Sequence, residues 1–273
     1  MKKDAIDFLV VSYYRPEYIR LLIWSIRKFV NYPYLITVIA NEIPGREEYI
    51  NLFKDYENDK DVQVIQGTGQ VSFLERGGHA GVKWNTVTND GVDYKYGPGS
   101  YHHNKGLTIG MKNTDNKYIC FLDSDAVFLD TWVDDLLHLL DTAFLISSRF
   151  EYNKGPNGFI EQQFMFFKRE DFEKYDLYPN CEYVDGCGNI TKCVLDNKEE
   201  IIICENSLWN PSLKDKHLLN LRCGEQAFIE DKPFFYHYGR GSSRGLDHTP
   251  ESGGSDDEYY KEWAIEVEKY LNK

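Results

Sequence analysis

The sequence predicts an α/β fold with a mainly parallel central sheet and helices on both faces. Two observations carry this. Short apolar runs ending at polar residues recur along the first half of the chain, and stretches of helical period fall between them, so the chain reads as successive strand–helix–strand units. "IDFLVVSY" is the first run, a buried parallel strand. Pro16 then opens a helix whose Ile19, Leu22, Ile23 and Ile26 share one face. "YLITVIA" is the second strand, ending at Asn41 and Glu42, "REEYINLFKDY" a helix, and "VQVIQG" the third strand. "NKGLTIGMKN" is helix-like and leads into the fourth strand, "YICFL".

A long glycine-rich loop, 66–104, separates the third strand from that helix, and its length favours a lid. Beyond the fourth strand, "TWVDDLLHLLD" places Trp132, Val133, Leu136, Leu137 and Leu140 on one helical stripe, and "AFLISSRF" and "QQFMFFKR" read as further strands. "GRGSSRGLDHTPESGGSDD" resembles a mobile loop. In "DEYYKEWAIEVEKYL", Tyr260, Trp263, Ala264, Val267 and Leu271 share a face, so that helix docks on the body.

With 273 residues, 42% hydrophobic and 15% aromatic, the chain has enough material for one domain with two lobes. A net charge of -13 repels nucleic acid and anionic membrane, so a phosphate ligand must be met by local cations or a metal. The N-terminal apolar run is too short for a signal peptide or membrane span, so the expected location is cytoplasmic, with no integral membrane segment. The cysteines, Cys120, Cys181, Cys187, Cys193, Cys204 and Cys223, include no C-x-x-C pair and are expected to be reduced thiols.

"YICFLDSDAVFLD" ends a buried strand in two acids. Side chains alternate along a strand, so Asp123 and Asp125 project to one side if the extended backbone persists. They then lie at the carboxyl end of the sheet, where open α/β sheets bind ligands. Two carboxylates held together call for a cation, and oxygen ligands suit Mg²⁺ or Mn²⁺; a solvated turn is the alternative. "FFYHYGRGSSR" adds an imidazole, His237, and two arginines suited to a diphosphate, Arg240 and Arg244.

These segments together resemble the glycosyltransferases of GT-A fold, particularly the large inverting, family-2-like group that uses nucleotide-sugar donors. "VVSYYRPEYIRLLIWSI" resembles that family's first strand and helix, "YHHNKGLTIGMKNTDNKYICFLDSDAVF" the helix and strand carrying its D-x-D motif, and "FYHYGRGSSR" its metal-histidine segment. The resemblance implies a single GT-A domain over 1–273. A nucleotide-binding lobe covers 1–130, an acceptor lobe 131–250, and a C-terminal helix 255–273. It implies a metal held by Asp123, Asp125 and His237, with Asp123 also near the ribose. Ser12, Tyr13 and Arg15 would face the nucleotide, with Glu42, Asn104, Lys105, Arg240 and Arg244 as further donor contacts. The second strand ends in Asn41-Glu42, where many members have aspartates, so the nucleobase is left open, although a UDP-sugar leads among donors. The other substrate is a glycan acceptor.

An inverting enzyme needs a carboxylate to take the acceptor proton. Asp185, in the glycine-flanked "YVDGCGN", is the first choice, with Glu161 and then Glu225 behind. Tyr152, Phe159 and Trp209 are aromatic candidates for stacking on sugar, with core packing the safer expectation for most. Two other readings compete. "FLDSDAV" also fits a haloacid-dehalogenase-type phosphatase with Asp123 as nucleophile. A catalytically silent carbohydrate-binding relative is the other, which an intact metal triad argues against.

Overall fold

The computed structural model describes residues 3–12, 16–42, 47–70, 98–151, 158–180, 187–221, 224–239 and 256–273. The loop 71–97, most of "GRGSSRGLDHTPESGGSDD", and Cys181 and Cys223 lie outside the described residues.

The central strand is β1 (Ile6–Ser12), buried along its whole length. It pairs in parallel with β2 (Tyr34–Glu42) and with β4 (Tyr118–Asp123), and β2 pairs in parallel with β3 (Val62–Gln70). On the far side of β4 lie β9 (Phe164–Lys168), β6 (Leu145–Ser147) and β10 (Ile201–Ile203), giving the order β10-β6-β9-β4-β1-β2-β3. The predicted parallel sheet is present, with one exception: β9 runs antiparallel to both β4 and β6.

The two-residue alternation of β1 divides it between two cores. Phe8 and Val10 face one cluster, which includes Ile19, Leu22, Ile23 and Ile26 of α1 (Glu17–Phe29), all at most 2% exposed. Leu9 and Val11 face the other, which includes Leu107 and Met111 of α3 (Pro98–Lys112). Burial of both faces explains why β1 reads as a continuous apolar run. α3 approaches the sheet through glycines: a Cβ on Gly106 would lie 2.9 Å from Val11 Cγ2, and one on Gly110 3.0 Å from Ile39 Cδ1. Here the structure departs from the expected boundaries. β3 continues to Gln70 and α3 begins at Pro98, so the expected loop 66–104 loses residues at both ends. The expected helix "TWVDDLLHLLD" divides into α4 (Val133–Leu137) and a 3₁₀ turn (His138–Asp141), although Trp132, Val133, Leu136 and Leu140 are buried as predicted.

β5 (Ala126–Phe128) continues from β4 after a turn and joins a second, antiparallel sheet ordered β11-β12-β13-β5. Its other strands are β11 (Glu205–Asn206), β12 (Glu225–Ile229) and β13 (Lys232–His237). The other described α-helices are α2 (Glu47–Tyr56), α5 (Arg169–Lys174), α6 (Gly188–Asn197) and α7 (Asp256–Leu271). α7 docks as its apolar stripe predicts: Trp263, Val267 and Leu271 are buried in a cluster with Tyr18 and Leu21 of α1. No helix of the described residues is long and apolar enough to cross a membrane. The four described cysteines, Cys120, Cys187, Cys193 and Cys204, are unbridged.

A buried ion pair closes the amino end of the sheet. Asp7 is fully buried, and its Oδ2 accepts from Arg169 Nη2 (2.6 Å) and the Asn116 N–H (3.0 Å), while Oδ1 accepts from Asn116 Nδ2 (2.6 Å). Arg169 also donates to the carbonyls of Asn116 and Met111 and to Thr114 Oγ1. The cluster ties β1, the carboxyl end of α3 and α5 together.

Candidate active site

The chain leaves the large sheet at Asp123 and enters the small one at Ala126, so Ser124 and Asp125 make the crossing. Asp125 therefore occupies a turn and not an extended strand, yet both carboxylates still converge. The register supplies the third group: β13 runs antiparallel beside β5 with His237 opposite Ala126, which brings an imidazole from 112 residues further along the chain to the turn. His237 Nε2 lies 3.2 Å from Asp123 Oδ2 and 3.4 Å from Asp125 Oδ1. One ligand atom from each of the three residues can be chosen so that all lie within 4.8 Å of one another. Backbone hydrogen bonds fix the acids from outside: Asp123 N–H donates to the Gln163 carbonyl, and the Asp125 carbonyl accepts from Tyr238 N–H.

Behind the imidazole stands Glu225, paired with His237 across the β12–β13 ladder, with Oε1 3.3 Å from His237 Nδ1. Arg149 Nη1 donates to the same oxygen at 3.0 Å, and its Nη2 pairs with Glu151. Burial alone would lower the pKa of His237, but Asp125, Asp123 and Glu225 outweigh it and hold the ring protonated well above its ordinary 6.5. Burial would likewise raise the pKa of Glu225, and His237 and Arg149 reverse that, keeping the carboxyl below its usual range. Asp123 has a second imidazole neighbour in His103 of α3, at 3.7 Å, whose Nδ1 meets Gln162 Nε2 at 2.9 Å.

Two oxygen donors and one nitrogen donor at this spacing fit a hard to borderline divalent cation such as Mn²⁺ or Mg²⁺. Further polar groups line the same edge. Ser12, at the end of β1, is fully buried, and its Oγ has no hydrogen-bond partner among the described residues. Asn41, at the end of β2, accepts from Thr68 N–H (2.8 Å) and Thr68 Oγ1 (2.7 Å), which leaves its buried Nδ2 without a partner among the described residues. Since its oxygen must receive a backbone N–H, the amide orientation is settled. Gly67 makes room for it, because a Cβ there would lie 2.5 Å from Asn41 Oδ1. His102 joins this network through Thr68 Oγ1 at 2.8 Å.

The other sequence candidates fall as follows. Glu42 ends β2. Asn104 is buried and accepts from the Cys187 N–H at 3.0 Å, which joins α3 to the start of α6, whereas its neighbour Lys105 is exposed. Glu161 follows β8 (Phe159–Ile160), and its N–H donates to the Arg149 carbonyl; two residues on, Gln163 meets Asp123. Phe159 is core, and Trp209 is half-exposed. Tyr13, Arg15, Tyr152, Asp185, Arg240 and Arg244 lie outside the described residues. The sequence places His102 and His103 in the donor-side segment and Asn41 at a strand end, but gives no sign of Arg149, Gln162 or Thr68, none of which sits in a recognisable spacing.

A family model described as "Glycosyl transferase family 2" matches residues 7–195. No protein of curated function matches the chain. Among solved structures, that of S. aureus TarS 1-349 in complex with UDP-GlcNAc aligns with a TM-score of 0.52 at 14% identity, covering 97% of this chain and 66% of that one. The apo-form glycosyltransferase GlyE of Streptococcus pneumoniae TIGR4 aligns with a TM-score of 0.50 at 12% identity, covering 100% of this chain and 63% of that one. At such identities the likeness is one of fold. The chain spans about half to two thirds of the length of these TarS and GlyE chains.

Proposed function

The chain belongs to glycosyl transferase family 2, and on that premise we propose that it moves a sugar from a nucleotide-diphosphate sugar to an acceptor hydroxyl, with inversion, in glycan synthesis. The observation that carries the reading is the convergence of Asp123, Asp125 and His237 at the carboxyl edge of the sheet. In this proposal those three side chains hold Mn²⁺ or Mg²⁺, and the cation, when bound, stabilises charge on the departing diphosphate. Arg240 and Arg244 share that task, and Ser12, Tyr13, Arg15 and Glu42 meet the nucleoside. Asn104 and Lys105 belong to the donor side, where Asn104 acts by holding Cys187 in place. A UDP-sugar remains the leading donor, by analogy of fold with TarS, whose structure holds UDP-GlcNAc. The acceptor hydroxyl loses its proton to Asp185, with Glu161 as the second choice because its chain neighbours touch the metal edge.

The phosphatase reading is not favoured: the family match runs across the whole β1-to-β4 region and beyond, which such a reading leaves without a role. The test is a thermal-shift series with nucleoside diphosphates and their sugars, each with and without Mn²⁺. Stabilisation of about 2.7 kcal/mol is expected at a hundredfold excess over Kd for one nucleotide, only with metal present. Asp125→Ala should abolish that response. Equal stabilisation of the variant would remove the site from consideration.

A further inference from the structure

An imidazole offers two nitrogens, and the hydrogen bond made by one decides how the other is presented. At His237 the two are divided. Nε2 faces the aspartates at 3.2 and 3.4 Å, and Nδ1 faces Glu225 Oε1 at 3.3 Å. Glu225 is not placed there by chance rotation of a surface side chain. It is 5% exposed, its register partner across the ladder is His237 itself, and directly opposed residues project from the same face of an antiparallel pair. Arg149 then fixes the carboxylate: one arm of its guanidinium donates to Glu225 Oε1 at 3.0 Å, and the other holds Glu151. Oε1, the oxygen that faces His237, is thus engaged on both sides, which suits an orienting part better than that of a base.

We propose that Glu225, braced by Arg149, is the positioning residue of the metal site: it fixes the ring of His237 so that Nε2 is directed at the space shared with Asp123 and Asp125. This rests on the metal reading above and moves Glu225 out of the group of candidate bases. Arg149 has a double part. It keeps the carboxylate in place and offsets its charge, so that a further acid can sit behind the aspartates without adding to the repulsion between them.

The test uses the full chain, Mn²⁺ alone as the probe, and two readouts. Calorimetry and Mn²⁺ electron paramagnetic resonance measure affinity, and proton–nitrogen NMR of the imidazoles in metal-free protein follows the Nδ1 proton of His237. Glu225→Gln preserves shape and removes charge. It is expected to weaken Mn²⁺ binding 10- to 100-fold, about the loss typical when a metal-bound histidine loses its orienting partner. The Nδ1 proton is expected downfield and slow to exchange in the parent, and in the variant should move upfield and exchange faster. Arg149→Lys keeps one charge but not the fork, and should give smaller changes of the same sign. It decides the matter by the same readouts if Glu225→Gln does not fold. Unchanged affinity together with an unchanged Nδ1 signal overturns the assignment. Absence of Mn²⁺ binding by the parent, with the NMR change intact, overturns the metal reading and leaves the orientation of His237 standing.

Discussion

The two ends of β1 carry buried charge in opposite styles. At the amino end, one carboxylate, Asp7, meets one guanidinium, Arg169, and the carboxylate oxygens are all engaged at 2.6 to 3.0 Å. At the carboxyl end, about 13 Å away at 3.3 Å per residue, Asp123, Asp125, Glu225 and Glu151 gather around His237, His103 and Arg149. Ser12 Oγ, Asn41 Nδ2, Gln163 Oε1 and Glu225 Oε2 are buried there without partners among the described residues, whereas the basal cluster contains no such atom. Buried polar groups are nearly always satisfied in a folded protein, so each of these atoms calls for a partner. The basal cluster is complete by itself and contributes to the fold. Among the described residues the other keeps buried polar atoms without partners, which the cation and polar ligand of the proposed function would meet.

This contrast can be broken by substitution. Arg169→Met should have the largest effect on stability, because it leaves Asp7 charged, buried and uncompensated. A loss of about 3–5 kcal/mol is expected from urea denaturation. A loss below about 1 kcal/mol would mean that the basal pair is not the anchor its geometry implies. The corresponding change at the other end, Asp123→Asn, should alter the stability of metal-free protein by no more than about 1 kcal/mol, since Asp123 is partly exposed and one of several acids around His237. Measured in the same denaturation series, a cost as large as that of Arg169→Met would erase the difference between the two ends.

A pH series sharpens it further. His237 is more basic in the folded protein than its ordinary 6.5, because Asp125, Asp123 and Glu225 outweigh its burial. Its contribution to the metal-free fold is therefore fully present below the unfolded value and disappears as pH rises through the folded one. Metal-free protein should lose stability between about pH 6 and the alkaline side of the raised value, and His237→Gln should flatten that part of the curve. Mn²⁺ competes with the Nε2 proton, so its apparent affinity should rise over the same interval. A flat profile in the parent protein would show that the acids do not hold the ring as the distances imply.

Local periodicity explains what was legible in advance. The short apolar runs of β1, β2 and β4 and the 3.6-residue stripes of α1 and α7 are set by near neighbours in the chain, and all appear where expected. α3 was legible only in part. Its first turns, "PGSYHHN", have no apolar stripe, and it docks through Gly106 and Gly110, whose contribution is the absence of a side chain. The orientation of β9 was hidden as well, since an apolar strand reads alike in either direction.

By itself, the sequence determined the strand–helix alternation, the pair of acids at a strand end and the presence of a late histidine in an aromatic run, because each is written within a few consecutive residues. Only the tertiary structure decided that His237 meets those acids, that Glu225 and Arg149 stand behind it, and that Arg169 neutralises Asp7 from 162 positions away. Those relations come from strand register and from packing between elements, and the energy of a charge depends on what surrounds it in space, not on what precedes it in the chain.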